Sequence, residues 1–595
     1  MKKNYFFSFA AAALSLSFAA CSQDDLTSNA DVITPEMETS YAKVRISMGS
    51  NFGTRAFDKE SFDRGTKQEA DVKSLSLMLY DDAGNLVGTG STNTITTPED
   101  RTEKTGTEYE DKSVSDPYTS TIVKVTLKPG SAKPTKLLAY VNATSSGNYD
   151  AALNNITAAN AIGNTTEGFV MTNSGYYTDD SQANSWTIAT EIKEENLYDT
   201  EEEAQASEAK AITIYVERLA AKVSVTDNSS SANTPEDYVI KDPEGNEVTI
   251  EFEAKKWAVT ALAKEMFTLK QQYEYTLNTW ANDAKHSRSY WAKGVNYDTP
   301  YADYLTASPL KYLSLSEIVS ENGGVGKDFN GNNNVVYVPE HTVGGTTISG
   351  TGFNGIMTST SLIVVGKYTV TGTEDGKYKS RDEDNEDDNH FYLALTGTET
   401  GDDGSEKSVY TIYNEVEMIK ELIKRSGVKL SSSSDEEEEV EDETLLANFE
   451  VYTDNTDSDN KCLRLKYTGS DLYYQSAEST WTALTAETEI FKDASSNAKM
   501  YNNGWSYFWG PITHNTEAEG VGYYGVVRNH SYQITINSFS GLGAPMDEFV
   551  GGGDPEEDEP DPNYPISPEP DTRDAYINAT LNVLSWHNIT YGVNF

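Results

Sequence analysis

Three residues in this 595-residue chain are of types that covalent chemistry uses. Cys21 and Cys462 carry the two thiols, and Arg55, followed by Ala56, lies in Gly53-Thr-Arg-Ala-Phe57. That context is small and polar, open to a trypsin-like or Arg-specific protease before the rest of the fold covers it. Other candidate chemistry fails on spacing. The six histidines, at 286, 341, 390, 514, 530 and 587, are scattered, with no pair at a metal-ligand interval on a predicted helix, and read as loop or turn residues. Glu217 and Arg218 are adjacent, so on a strand they point to opposite faces and serve separate pairing or packing roles. Cys462 lies in Lys461-Cys-Leu-Arg-Leu-Lys466, a strand pattern in which a buried, inert thiol is expected. Asp454, Asp457, Asp459 and the 401–406 loop lack the twelve-residue calcium-loop pattern and read as solvated acidic surface. The expectation is therefore no enzyme, no catalytic residue, no cofactor and no metal.

The chain opens Met1-Lys-Lys, runs apolar and small from Phe6 to Ala20, and meets Cys21. A basic start before a short apolar core is an export signal, too short to span a bilayer. Phe18-Ala-Ala-Cys21 resembles a bacterial lipoprotein cleavage box, in which the cysteine becomes the lipidated first residue. With Cys21 carrying lipid, Cys462 has no disulfide partner in the chain, so the fold must be held by its cores and by sheet hydrogen bonds.

Charge narrows the partners. With 94 acidic and 46 basic residues the formal net charge is −48, which repels nucleic acid and anionic lipid. Membrane contact is expected only through the precursor's lipid. The 37 Tyr, 19 Phe and 8 Trp argue against disorder as the cause of the acidity. A folded, exported, β-rich protein with acidic loops fits better.

The elements that must position these residues are mostly strands. Tyr41-Ala-Lys-Val-Arg-Ile-Ser-Met-Gly49 alternates Ala42, Val44, Ile46 and Met48 with Lys43, Arg45 and Ser47, giving one apolar and one wet face. Residues 22–40 read as a tether leading to it. Val72–Tyr80 with the turn Asp81-Asp-Ala-Gly-Asn85 is a strand and hairpin signal. Further strands are expected at Ile122–Leu127, Lys136–Asn142, Val335–Pro339, Ser361–Tyr368, Phe391–Leu395, Ser408–Tyr413 and within Tyr523–Phe539. Ala211–Val225 is long and mixed in period, and is placed at the junction of two domains. Phe252–Leu269 fits a helix or two strands, with local propensity favouring helix. Asn414–Ser426 is the best helix, with Val416, Ile419, Leu422 and Ile423 on one stripe. Thr488–Met500 suggests a short helix. The acidic run Ser431–Glu443 predicts a mobile, solvated loop.

The predicted fold class is all-β, two tandem sandwich domains with short helices and long acidic loops. The predicted boundaries are 1–20 for the signal peptide, 21–55 for a lipidated tether and removable strand, 56–216 and 217–548 for the two domains, and 549–595 for a linker and terminal strand. That last strand, Tyr576–Trp586, repeats the rhythm of the first with Ile577, Ala579, Leu581 and Val583. The Pro- and acid-rich linker before it favours extended chain. From the residues alone, the last strand either closes the sheet of its own domain or fills a groove in a neighbour. In the second case a head-to-tail contact that does not close gives an open filament.

Several blocks resemble the fimbrillin family of Bacteroidales. Val216-Glu-Arg-Leu-Ala-Ala-Lys-Val223 is similar to the family's domain-junction signature. Tyr523-Tyr-Gly-Val-Val-Arg-Asn-His-Ser-Tyr532, with Ser540-Gly-Leu-Gly-Ala-Pro545, resembles its C-terminal hallmark. Trp257, Arg288-Ser-Tyr-Trp-Ala292 and Tyr337-Val-Pro-Glu-His-Thr342 resemble blocks of the Mfa1-like branch, the major subunits of the short fimbria, a type V pilus. Ser22-Gln-Asp-Asp25 resembles signals that send lipoproteins of the Bacteroides group to the cell surface. The resemblance implies a precursor lipidated at Cys21, carried to the outer membrane and cut between Arg55 and Ala56. It implies that the strand of Ala42, Val44, Ile46 and Met48 then leaves, and that a neighbour's Ile577, Ala579, Leu581 and Val583 take its groove. It further implies two transthyretin-like sandwich domains and a head-to-tail polymer of copies of this chain in a surface fimbrium. The implied partners are anchor and tip subunits, the processing protease, and host or bacterial surface receptors. The alternative is a lipid-anchored accessory subunit or a glycan- or protein-binding adhesin, with the aromatic stretch 271–310 offering stacking platforms.

Overall fold

The computed structural model describes residues 39–47 and, with breaks in the loops, 62–271, 292–545 and 576–586. Cys21, Met48, Arg55, Ala56, His286, His587, the linker 549–575 and most of the aromatic stretch 271–310 lie outside the described residues. The fold is largely β, in several sheets with a few short helices. It divides into two compact units, one of Met1–Ala220, Phe267–Ala292 and Ser585–Tyr591, the other of Ala221–Met266, Lys293–Leu584 and Gly592–Phe595.

The first unit is a ring. Its strands are β1 (Thr39–Ser47), β2 (Leu75–Tyr80), β3 (Leu86–Thr92), β4 (Tyr118–Leu127), β5 (Lys136–Val141), β6 (Met171–Asn173) and β7 (Ile212–Arg218). Hydrogen bonding runs β6-β7-β1-β4-β3-β2-β5, and β5 pairs back onto β6. Closure pairs every strand of the path on both sides over at least part of its length, which is how small barrels limit edge exposure. Alternation sets the faces. Leu75, Leu77 and Leu79 on β2 and Leu137, Ala139 and Val141 on β5 form one buried row each. The intervening Met78, Leu138 and Tyr140 pack on the other face with Leu269. The predicted hairpin turn is present, with the Asn85 amide donating to the Asp81 carboxylate at 2.8 Å.

The second unit has β8 (Ala220–Asp227), β9 (Tyr238–Lys241), β10 (Thr249–Thr260), β11 (Val335–Pro339), β12 (Ser361–Thr371), β13 (Phe391–Thr400), β14 (Glu406–Tyr413), β15 (Phe449–Asp454), β16 (Cys462–Tyr467), β17 (Lys499–Tyr501), β18 (Trp505–Pro511), β19 (His530–Ser540), β20 (Ala544–Pro545) and β21 (Tyr576–Trp586). One sheet runs β10-β12-β18-β21-β19-β8-β11, and a second runs β9-β14-β13-β17. At the Phe391–Ala394 end of β13 the second sheet is buried on both faces. Phe391, Leu393 and Ile412 join the core that holds Trp257 and Phe508, whereas Tyr392, Ala394 and Tyr413 join a separate core under helix α1 (Glu415–Ser426). Period-two side chains of one strand thus serve two cores.

Helix α1 is capped as its residues dictate. The Glu417 amide donates to Asn414 Oδ1 at 2.9 Å, and the Asn414 amide donates to the Glu417 carboxylate at 2.8 Å. Gly427 ends it at φ 72°, a left-handed conformation that glycine adopts without cost. Met418, Ile419 and Leu422 are buried, close to the predicted stripe.

Four local expectations are corrected. Phe252–Leu269 is not helical: β10 runs to Thr260 and pairs along its length with β12, with short strands at Leu262–Ala263 and Glu265–Phe267. The sheet outweighs a modest helix propensity. Thr488–Met500 holds a three-residue 3-10 turn, Glu489–Phe491, and the start of β17. The acidic run after Ser431 is anchored rather than free. Ser431 is buried; its hydroxyl donates to the Glu436 carbonyl at 2.7 Å and accepts from the amides of Ser433 and Glu438 at 2.9 and 3.0 Å. Helix α2 (Asp442–Asn448) follows directly. Cys462 is half-buried at the start of β16 rather than enclosed.

Candidate functional site

The place where the sequence puts function is the seat of β1. Ala42 and Val44 are 1% and 0% exposed while Tyr41 and Lys43, which alternate with them, are half-buried, so the predicted alternation is realised there. Ile46 lies on the same strand, opposite Thr119 of β4 and Ile214 of β7. β1 runs antiparallel to β4 over Thr39–Ser47 and parallel to β7 over Val44–Ser47, while Tyr41 and Ala42 pair with Tyr198 and Leu197. It is a stave hydrogen-bonded on both sides. Arg45, within the strand, is locked into both ladders, opposite Ser120 and Thr213.

The two walls beside β1 are held differently. β7 continues past β1 to Val216–Arg218, which pairs with β6. There Arg218 Nε donates to the Glu69 carbonyl at 2.8 Å, and the Glu217 carboxylate lies 3.1 Å from Lys270 Nζ, with both of those side chains almost fully buried. Glu217 and Arg218 do take separate partners, as their adjacency on a strand requires. β4, in contrast, is paired on its far side with β3 only through Val125–Leu127. Its Thr121 hydroxyl donates to the Thr94 carbonyl at 2.7 Å. One wall is therefore pinned below the seat, and the other depends on β1 for the ladder of Tyr118–Lys124 among the described residues.

Ile577, Ala579, Leu581 and Val583 all fall on β21, which lies between β18 and β19 in the sheet of the second unit. It meets β18 in parallel at Trp509 and Tyr576, while β20 pairs with Ser506 and Tyr507 of the same strand.

Nearby in that unit, two of the blocks singled out in the sequence come together. Glu340 and Arg528 form a bidentate pair at 2.9 and 3.0 Å with no exposure on either side chain, and the Arg528 amide also donates to Glu340 at 3.2 Å. His530 Nδ1 lies 2.8 Å from the Arg528 carbonyl. His514 Nδ1 lies 2.8 Å from the Tyr532 hydroxyl, which also accepts from the Val527 amide at 2.8 Å. His341 Nδ1 is 3.2 Å from the Thr360 hydroxyl, and burial pulls its pKa down to about 4. Burial likewise pushes the Tyr532 hydroxyl upward. His341, His514 and His530 are thus enclosed structural residues, a correction to their reading as loop histidines.

Sequence reasoning missed Lys270, Glu340 and Arg528 as buried charges. The available signal was a charged residue directly flanking an apolar strand run, as in Val335-Val-Tyr-Val-Pro-Glu340, where burial demands a partner. Asp454 is engaged with Arg464 at 2.5 Å. Among the described residues no group of three or more His, Cys, Asp or Glu is placed to hold a metal.

Residues 499–592 match the family model described as Major fimbrial subunit protein type IV, Fimbrillin, C-terminal. The C-terminal region of the chain is fimbrillin-like. The matched span begins at β17, contains β18, β19 and β20, and takes in the whole of β21. Among solved structures the chain is similar to a fimbrilin (fimA) from Porphyromonas gingivalis, at 11% identity over 93% of this chain and 99% of that one, TM-score 0.31. It is similar to a Parabacteroides distasonis protein assigned to cell adhesion, at 11% identity over 93% and 100%, TM-score 0.33. A third is the tip fimbrial protein Mfa3 from Porphyromonas gingivalis with C-terminal truncation, at 10% identity over 92% and 100%, TM-score 0.26. At such identities and superpositions the family match at the C terminus carries the weight. No curated protein is similar enough to count as a relative.

Proposed function

We propose that this chain is a non-enzymatic structural subunit of a surface fimbria, of the fimbrillin family as a whole and of the Mfa1-like branch in particular, with two transthyretin-like domains. It is exported as a lipoprotein precursor carrying lipid on Cys21, processed at the outer membrane between Arg55 and Ala56, and assembled head to tail with copies of itself and with anchor and tip subunits. The single observation that carries this reading is the seat of β1: a strand near the chain start that completes a closed ring and lies just before a basic residue suited to proteolysis. Its loss would leave β4 and β7 with facing unpaired edges, a template for strand addition. A neighbour's β21, reaching across on residues 549–575, is the proposed replacement.

A second reading is favoured by one feature, the place of β21 within the sheet of its own unit. A subunit that keeps its last strand would end a filament or remain a lipid-anchored accessory or adhesive protein. Limited trypsin treatment of the purified precursor separates the two. The stalk reading expects an SDS-stable ladder from the wild type and none from Arg55→Ala. Ladders of equal intensity from both would remove the activation step, and ladders from neither would favour the accessory reading.

A further inference from the structure

The ring also restricts how an incoming strand can sit. We propose that the partner's β21 enters in one register, with Ala579 in the place of Ala42, running parallel to β7 and antiparallel to β4 as β1 does. This rests on the strand-exchange reading above and goes beyond it by naming the specificity-determining residue.

A shift by an odd number of residues would turn the apolar row of β21 outward, so only even shifts are open. Among these, side-chain size decides. Ala42 is 1% exposed and lies directly opposite Val123, itself 0% exposed, and Val44 is 0% exposed. The donor row reads Ile577, Ala579, Leu581, Val583, with a single small residue. Sliding it two residues one way sets Ile577 at Ala42 and Ala579 at Val44, an excess followed by a void. Sliding it two the other way sets Leu581 at Ala42 and Ser585 at Ile46. Close-packed interiors tolerate neither well. With Ala579 at Ala42, Leu581 replaces Val44 and Val583 replaces Ile46, a pair of changes that conserves total volume. Asn578 and Thr580 then take the half-buried positions of Tyr41 and Lys43, and Asn582 takes the place of Arg45 along the strand. Ile577 falls where β1 carries only Ser40, opposite Val125, and adds apolar area there. That gain offsets the loss of Met48, whose place falls to Ser585.

In this register Asn578 stands opposite Lys124, the exposed residue that faces Tyr41 in the precursor. The test uses full-length precursors with Cys21 and Cys462 changed to Ser. One copy carries Lys124→Cys, and the other carries Tyr576→Cys, Asn578→Cys or Thr580→Cys. Mixed copies are activated by limited trypsin, oxidised, and run without reductant, so that only contacts between copies give covalent dimers. The expected result is dimer from the 124/578 pair at least tenfold above the 124/576 and 124/580 pairs. Preference for either of those, or a normal ladder with no covalent dimer from any pair, overturns the register while leaving exchange in place. Absence of both ladder and dimer overturns the exchange reading itself. As a second arm without cysteines, Ala579→Leu should slow ladder formation at least tenfold, and ladder formation at the wild-type rate would refute a narrow seat for residue 579.

Discussion

The two units seat the ends of the chain in opposite ways. In the first, β1 is a stave of a closed ring, paired with β4 through nine successive residues and with β7 through four. In the second, β21 divides an open sheet and meets β18 at Trp509 beside the short β20, which already covers Ser506 and Tyr507. Around β1 the nearest buried charges sit on β7, one step beyond the seat. The second unit has its bidentate Glu340–Arg528 pair on segments that adjoin β11 and β19. The difference teaches where each unit keeps its integrity: the first in the strand that closes its ring, the second in a buried polar centre.

The sharpest way to break this comparison is to place a charge in the ring. Val44→Asp places a carboxylate at a fully buried position, opposite Thr121 of β4 and Ile212 of β7, a change expected to cost the precursor about 4 kcal/mol. Once residues before Arg55 are removed, the same variant should be as stable as wild type in the assembled form. Denaturant titration before and after processing reads this directly. A defect that persisted in the processed polymer would mean that β1 stays in place.

Arg528→Ala should show the reverse pattern. It strands the Glu340 carboxylate, and breaking a buried pair from one side typically costs about 3–5 kcal/mol, in precursor and processed form alike. Lys270→Ala is the matched change in the first unit. The Glu217–Lys270 contact is a single one, and Glu217 Oε1 has no hydrogen-bond partner among the described residues. A double-mutant cycle should therefore give a smaller coupling for 217 with 270 than for 340 with 528. Equal couplings would remove the asymmetry drawn between the two polar centres.

How much of this was legible in the sequence depends on the range of the interaction. Alternation at Ala42 and Val44 and the helix over Asn414–Ser426 are local, and the structure has them where the sequence puts them. The ring was not legible, because closure depends on β5 returning to β6 across a long loop, and no short pattern encodes that pairing. Residues 252–269 misled because Ala263, Lys264, Glu265 and Met266 are helix formers taken alone, whereas β10 pairs with β12 at eleven positions just before them and the short strands Leu262–Ala263 and Glu265–Phe267 take up the stretch itself. Ser431 misled in another way: like charges repel, but one buried hydroxyl with three backbone partners fixes the turn that carries them.

Acid should also separate the units. His341 is buried neutral, with its pKa lowered to about 4, whereas an unfolded histidine titrates near ~6.5. Between those values the unfolded chain binds the extra proton, so this site's contribution is intact above pH ~6.5 and is lost progressively as pH falls toward 4. The loss amounts to about 3 kcal/mol. Stability of the second unit measured against pH should show this slope, and His341→Asn should flatten it. A slope unchanged by the substitution would assign the acid sensitivity to other groups.

The smallest effect tests whether the second unit's two cores are separable. Asn414→Ala removes the side chain that accepts from the Glu417 amide and leaves the Glu417 carboxylate reaching back alone, a loss of about 1 kcal/mol in the stability of α1. Helix α1 packs on the core of Tyr392, Phe449 and Leu465, which shares β13 with the core of Trp257 and Phe508 but no side chain. If the layers open independently, hydrogen exchange should quicken in α1, β15 and β16 while β10, β12 and β18 stay protected. If instead protection falls equally in both sets, the alternating side chains of β13 couple the two cores into one cooperative body, and the polar centre at Glu340 and Arg528 then secures the helical layer as well as the sheet that seats β21.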